Sequence, residues 1–225
     1  MKKKILTSRI SGLIMTFLIL PFISSCHCDH ETEPKPDFKI GHVLCTDGTI
    51  LSLCDYSTSK KEAIGIVFYV NPDRNADLKG YAVYIHNLPK YAFADSCGVA
   101  QNTSKSLMEQ DGNSNTYSIY TTTGVASPMA NAVFHLWTFG QSAYIPSVAE
   151  LRLLYGVKSF VNDRIFAVGG EPIQDDDENC WLWSSTEVEN QDADKAWLFS
   201  MNYGNIHETP KNQPHTIRPI ISIRK

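Results

Sequence analysis

The 225-residue chain carries 24 Asp and Glu against 20 Lys and Arg, a formal net charge of −4. Four of the basic residues and none of the acids fall in an N-terminal segment that reads as removable, and without it the net charge is −8. Such a surface, with no basic stripe anywhere, repels phosphate backbones and makes nucleic acid a poor partner.

The removable segment is residues 1–25. Lys2, Lys3, Lys4 and Arg9 form a basic leader, and "LIMTFLILPFI" (13–23) is an apolar run shorter than the ~20 residues that a bilayer span requires. That is the pattern of a secretory signal peptide. The stretch "ISSC" (23–26) then resembles the lipobox of bacterial lipoproteins, which implies lipidation of Cys26; the alternative is an ordinary signal peptide cut near Ser25. Residues 26–37, polar and prolyl, read as a tether to the membrane. The acids Asp29, Glu31 and Glu33 resemble the acidic stretch that directs some Gram-negative lipoproteins to the outer face. Cys28 with His27 and His30 could hold a metal, but beside a lipid anchor a plain tether is the simpler reading.

Residues 38–225 are long enough for one domain with a substantial core. "IGHVLCTDGTILSLC" (40–54) places two apolar runs around Asp47-Gly48, a hairpin-turn dipeptide. That hairpin would bring Cys45 near Cys54, so these two are the first candidates for a disulfide, with buried thiols as the alternative. "AIGIVFYV" (63–70) reads as a buried strand and "YAVYIHNL" (81–88) as its return after a turn-rich link. The spacing thus predicts a β meander over 38–100. Residues 95–116 read as a long polar loop with one helical turn at "KSLMEQ". Ser127-Pro128 opens a helix that closes at Gly140, and Ser147 with Glu150 forms a capping box opening a second that closes at Gly156. From 181 onward the chain returns to strands, with Ile217, Ile221 and Ile223 alternating on one face. Strands, two helices and more strands make an α+β domain with short antiparallel sheets.

The second half carries a set of landmarks. "AYIPSVAELRLLY" (143–155) is followed by "CWLWSSTE" (180–187), "AWLFSMNYGNI" (196–206) and "TIRPIISIR" (216–224). Over residues 101–225 this resembles the family of the C-terminal domain of the bacterial collagen-like adhesin and its paralogous surface lipoproteins. The resemblance implies a C-type-lectin-like fold, related to that of the sulfatase-modifying factors. Ala143 stands where that family carries an aromatic residue.

Chemistry is sparse. Ser184 and Ser185 lack a nucleophile elbow, and His207-Glu208 is not H-E-x-x-H. The late cysteine pair of the sulfatase-modifying factors is reduced to Cys180, so their activity does not carry over. "DDDEN" (175–179), "DRNAD" and "DGNSN" alternate oxygen donors but miss EF-hand spacing, and "GGEP" (169–172) is followed by Ile173 where sugar-binding lectins carry Asn. No metal ligand set is expected and no cofactor, although lectin-like loops leave room for one irregular Ca²⁺ site. Trp181 and Trp183 alternate about Leu182 and should share a face, which the family resemblance makes the core; "WLWSSTE" then reads as scaffold. Ligand binding is expected instead in the flanking variable loops, at Asp175, Asp176, Asp177 and Glu178 and at Asn190 and Asp192. The expectation is a non-enzymatic, lipid-anchored binding or adhesion protein of the outer membrane, facing the periplasm or the outside, with an extracellular glycan or protein as partner. A structural subunit of a surface appendage is the alternative, and an enzyme comes third.

Overall fold

A computed structural model describes residues 38–138 and 141–225. The expected signal peptide (1–25), the expected lipidation site Cys26 and the expected tether (26–37) lie outside the described residues. The Asp47-Gly48 turn forms as expected and joins β1 (Val43–Cys45) to β2 (Ile50–Leu51). The second strand stops early because Ser52 caps a helix, α1 (Leu53–Thr58), by accepting from the Asp55 N–H at 3.1 Å. Cys54 therefore sits exposed on a helix while Cys45 is buried in a strand, and both are free thiols. The expected Cys45–Cys54 disulfide is absent for that reason.

Strands β3 (Ala63–Val70), β4 (Leu78–Tyr84) and β12 (Ile220–Arg224) complete a five-stranded sheet in the order β12-β4-β3-β1-β2. A second sheet runs β10-β9-β8-β11-β5, built from β5 (Leu88–Ala92), β8 (Trp181–Glu187), β9 (Lys195–Ser200), β10 (Ile206–Pro210) and β11 (Pro214–Ile217). Both sheets thus mix strands from before residue 100 and after residue 180. Pairing is antiparallel except between β11 and β8, which run parallel through Thr216 and Leu182. The expectation of purely antiparallel sheets fails there, because Arg218-Pro219 interrupts the last run and sends its halves, β11 and β12, to different sheets. The small hairpin β6 (Trp137–Thr138) and β7 (Gln141–Ser142) stands beside β12.

Alternation along the strands divides the interior in two. Val43, Ile66, Phe68, Val83, Leu182, Phe199 and Ile220 pack against Leu151, Leu154, Val161 and Ile165 of α4 (Val148–Ala167). Their sequence neighbours Leu44, Ala82, Trp183, Leu198 and Ile221 join Phe93, Ile119, Met129 and Val133 in a second cluster. Period-2 side-chain placement makes both faces of the first sheet apolar. Ile217, Ile221 and Ile223 all belong with the second cluster, so their shared face survives the break between strands.

Four helices are described rather than two. The first half of α2 (Gly112–Thr121) falls within the stretch 95–116 that reads as loop, and α3 (Pro128–Phe134) ends six residues before Gly140. Helix α4 opens with the expected capping box: Ser147 Oγ accepts from the Glu150 N–H at 3.3 Å, and Glu150 Oε2 accepts from the Ser147 N–H at 2.7 Å. It passes through Gly156 and stops only before Gly169, whose φ of +79° is the left-handed geometry that ends helices. No helix among the described residues is long and apolar enough to cross a membrane.

Candidate functional site

The block "SSTE" is structural. Ser184, Ser185, Thr186 and Glu187 are all fully buried. Ser184 Oγ donates to the Trp197 carbonyl at 2.7 Å, and Thr186 Oγ1 accepts from the Val148 N–H at 3.2 Å. Glu187 accepts from the N–H groups of Gln101 (2.7 Å) and Thr103 (3.0 Å) and from the Thr103 hydroxyl, and it pairs with the equally buried Lys211. Lys211 also donates to the Val99 carbonyl at 3.0 Å. A buried pair of this kind adds little net stability against an apolar substitute. What it does here is fix the 99–103 segment against β8. Trp183 is fully buried and donates from Nε1 to the Tyr91 carbonyl at 3.0 Å, and Trp181 is partly buried against the same cluster, so the two do share a face.

The acids of the variable loop are largely engaged with their own surroundings. Asp175 pairs with Lys158 at 2.8 Å, and that contact holds its carboxyl below the usual range. Asp176 Oδ1 accepts from the N–H groups of Glu178 and Asn179 and from the Asn179 amide, closing the turn. Asp177 accepts from Asn202 (3.1 Å) and from the Tyr203 hydroxyl. Glu178 is exposed. Glu171 of "GGEP" accepts from the Asn87 amide at 3.1 Å, while its carbonyl takes the buried Arg218 guanidinium at 2.7 Å. Burial lowers the Arg218 pKa to about 9.

Asn190 and Asp192 are elsewhere. Residues 175–178 precede β8 and residues 190–192 follow it, so the seven-residue strand holds the two groups roughly 20 Å apart at ~3.3 Å per residue. They cannot contact one small ligand together. Asn190 adopts φ +60°, a turn geometry that Asn tolerates, and Asp192 pairs with Lys105 at 3.1 Å, which holds its pKa down. Among the described residues no group of three or more His, Cys, Asp or Glu converges to hold a metal.

The larger concavity lies beyond that second loop, in residues that sequence reasoning passed over. Gly98 N–H donates to the Ala193 carbonyl at 2.9 Å, and just before it in the chain Asp95 and Ser96 enter an open cleft of about 900 Å³. Helix ends build it. Ser127 caps α3 by accepting from the Ala130 N–H at 3.2 Å while donating to the Phe93 carbonyl at 2.6 Å, which ties the α2–α3 link to the end of β5. Asp95 N–H donates to the Ala126 carbonyl at 2.9 Å. From α2, Tyr120 lines the cleft with 49% of its surface exposed, its ring packed 4.0 Å from that of Phe134 and tilted by 33°. Thr122 and Asn131 supply further polar lining. A second depression of about 340 Å³, bordered by Asn102, Ser118, Thr121 and Thr123, shares Thr122 with the first. The legible signal was "NTYSIYTTTG" (115–124), two tyrosines in a run of hydroxyl and amide side chains.

The architecture is a mixed α+β domain with two sheets rich in antiparallel pairing. It is shared with a fimbrial protein from Bacteroides ovatus ATCC 8483, seen in a crystal structure at 1.85 Å resolution. The two superpose with a TM-score of 0.62 at 18% sequence identity, over 83% of this chain and 49% of the fimbrial protein. This chain therefore spans about half the length of that relative. No protein-family profile matches the sequence, and no curated protein matches it.

Proposed function

We propose that this is a non-enzymatic binding or adhesion protein of the cell envelope, tethered through lipid on Cys26 and presenting a C-type-lectin-like domain to an extracellular glycan or protein. The observation that carries the reading is the fold held in common with a fimbrial protein. The secretory leader, the lipobox-like "ISSC" and the adhesin-family landmarks between Ala143 and Arg224 support it from the sequence. The open cleft beside Tyr120 supports it as a surface on which a ligand can rest. The same fold match favours a second reading, in which the chain is one subunit of a fimbria-like appendage. Membrane fractionation of cells producing the wild type and Cys26→Ser tests the first. The wild type should partition with outer membranes and incorporate labelled fatty acid, whereas the variant should do neither. A wild-type protein found unprocessed in the cytosol would sink both readings. A stoichiometric partner retained after detergent extraction would favour the appendage subunit.

A further inference from the structure

We propose that the cleft between the C-terminal end of α2 and the start of α3 binds an uncharged oligosaccharide, with Tyr120 as the stacking platform and Asp95 and Asn131 as its polar anchors. This rests on the binding-protein reading above and names the ligand class and the site. Tyr120 is half exposed, yet Phe134 backs its ring at 4.0 Å, so the platform is held in place before a ligand arrives. A fixed aromatic face matches the apolar C–H face of a pyranose ring and costs little conformational entropy on binding.

The polar lining supplies the other half of sugar recognition. Asp95 accepts from the Ser96 hydroxyl through Oδ1 at 3.1 Å and keeps Oδ2 for a ligand hydroxyl. The Asn131 side chain offers donors and an acceptor together, and Thr122, whose hydroxyl donates to the Ser118 carbonyl at 2.7 Å, retains acceptor capacity. A carboxylate acceptor near an amide is suited to vicinal hydroxyls, which donate and accept at neighbouring positions. Charge then selects within the class. Among the described residues lining the cleft Asp95 is the one charged side chain, and the neighbouring His135 is engaged through Nδ1 with the Asn131 carbonyl at 2.6 Å. An anionic sugar would meet a like charge with no cation to offset it. A protein partner would favour a desolvated apolar centre, whereas this cleft is open and polar along much of its wall. The adjoining depression reached through Thr122 adds room for further sugar rings.

Saturation-transfer NMR on the intact, detergent-purified protein tests this. The probes are neutral hexose oligomers derived from mannan, glucan and galactan, with oligogalacturonate of equal length as the charged counterpart. At least one neutral oligomer should show transfer, and oligogalacturonate should show none. Tyr120→Ala should weaken the binding by about tenfold or more, as the loss of a stacking face implies. Tyr120→Phe, which keeps the ring, should stay within about threefold of wild type. Circular dichroism would establish that each variant is folded, and Asn131→Ala, on an exposed position, gives a second loss that does not depend on the aromatic pair. No transfer from any neutral oligomer, equal binding of oligogalacturonate, or undiminished binding by both Tyr120→Ala and Asn131→Ala would overturn the proposal. Adhesion of whole cells separates this failure from that of the parent reading: adhesion that persists undiminished in Tyr120→Ala cells discards the saccharide cleft and keeps the adhesion protein.

Discussion

Glu150 shows how one residue serves two levels of the structure. Its side chain closes the capping box of α4 and also accepts from the Tyr144 hydroxyl at 3.0 Å, which in turn accepts from Ser222 at 3.2 Å. The group is 1% exposed, and burial pushes its pKa from 4.5 up to about 7 against the opposing pull of the Ser147 and Tyr144 hydrogen bonds. The raised value fixes the sign of the pH effect. Between about pH 4.5 and 7 the folded protein holds a proton that the unfolded chain has released, so stability is full below that window and falls as pH rises through it. The loss attributable to this residue is on the order of 3 kcal/mol across the window. Glu150→Gln should flatten the decline, as read from urea unfolding midpoints at pH 5 and pH 8. An unchanged slope in the variant would refute the assignment. The capping box itself was legible in the sequence, because its spacing is local. The burial that raises the pKa was not, since it depends on Tyr144 and Ser222 closing over the carboxyl from β12 and the segment before α4. The same limit explains the candidate site. An acidic run is visible in a sequence, but that Lys158, Asn202 and Tyr203 neutralise or occupy it is not, because those partners come from another helix and another loop.

At the scale of elements, local signals succeeded where the chain's own propensity decides and failed where packing does. Helix α2 reads "GNSNTYSIYT", poor in helix formers and without a side-chain cap. It is held by tertiary contacts: Asn115 Oδ1 accepts from the Ser104 N–H at 2.9 Å, and the Thr116 hydroxyl accepts from the Ile145 N–H at 2.9 Å. Helix α4 errs the other way, since a glycine taken as its end lies inside it. Gly156 has a helical position and open space around the site of a Cβ, with nothing within 4 Å. Gly156→Ala should therefore stabilise the protein by about 0.5–1 kcal/mol, the helix-interior difference between the two residues. Thermal unfolding measures this as a raised midpoint. A lowered midpoint would mean that the helix breaks at Gly156, as the local pattern had implied. The hairpin at Asp47-Gly48 and the Ser127 and Ser147 caps were readable because each is set within a few residues.

At the scale of the whole molecule, the last strand closes the structure; the alternation of its isoleucines was legible locally, but its pairing with β4 was not. β12 pairs with β4 from Ile220↔Val83 to Arg224↔Leu78, and Ile220 exchanges backbone hydrogen bonds with Tyr144 at 2.9 and 3.0 Å. Its side chains divide between the two interiors, Ile220 into the cluster under α4 and Ile221 with Ile223 into the other. Removing residues 220–225 would expose apolar surface in both clusters at once and leave β4 with an unpaired edge. Full burial of an isoleucine contributes about 1.5–3 kcal/mol; Ile220 and Ile221 are buried and Ile223 partly so, and together they reach the lower end of the roughly 5–15 kcal/mol that holds a domain folded. The truncated protein should show no cooperative urea transition, and its tryptophan emission should shift to the red as Trp183 meets water. Arg224→Ala provides the contrast, because the Arg224–Asp77 pair at 2.8 Å is exposed on both sides. That variant should unfold within about 0.5 kcal/mol of wild type. A truncated chain that unfolds cooperatively near the wild-type midpoint would show that the two interiors stand without their shared strand. Loss of the transition would instead mark residues 220–225 as the piece that joins a front half and a back half into one folding unit.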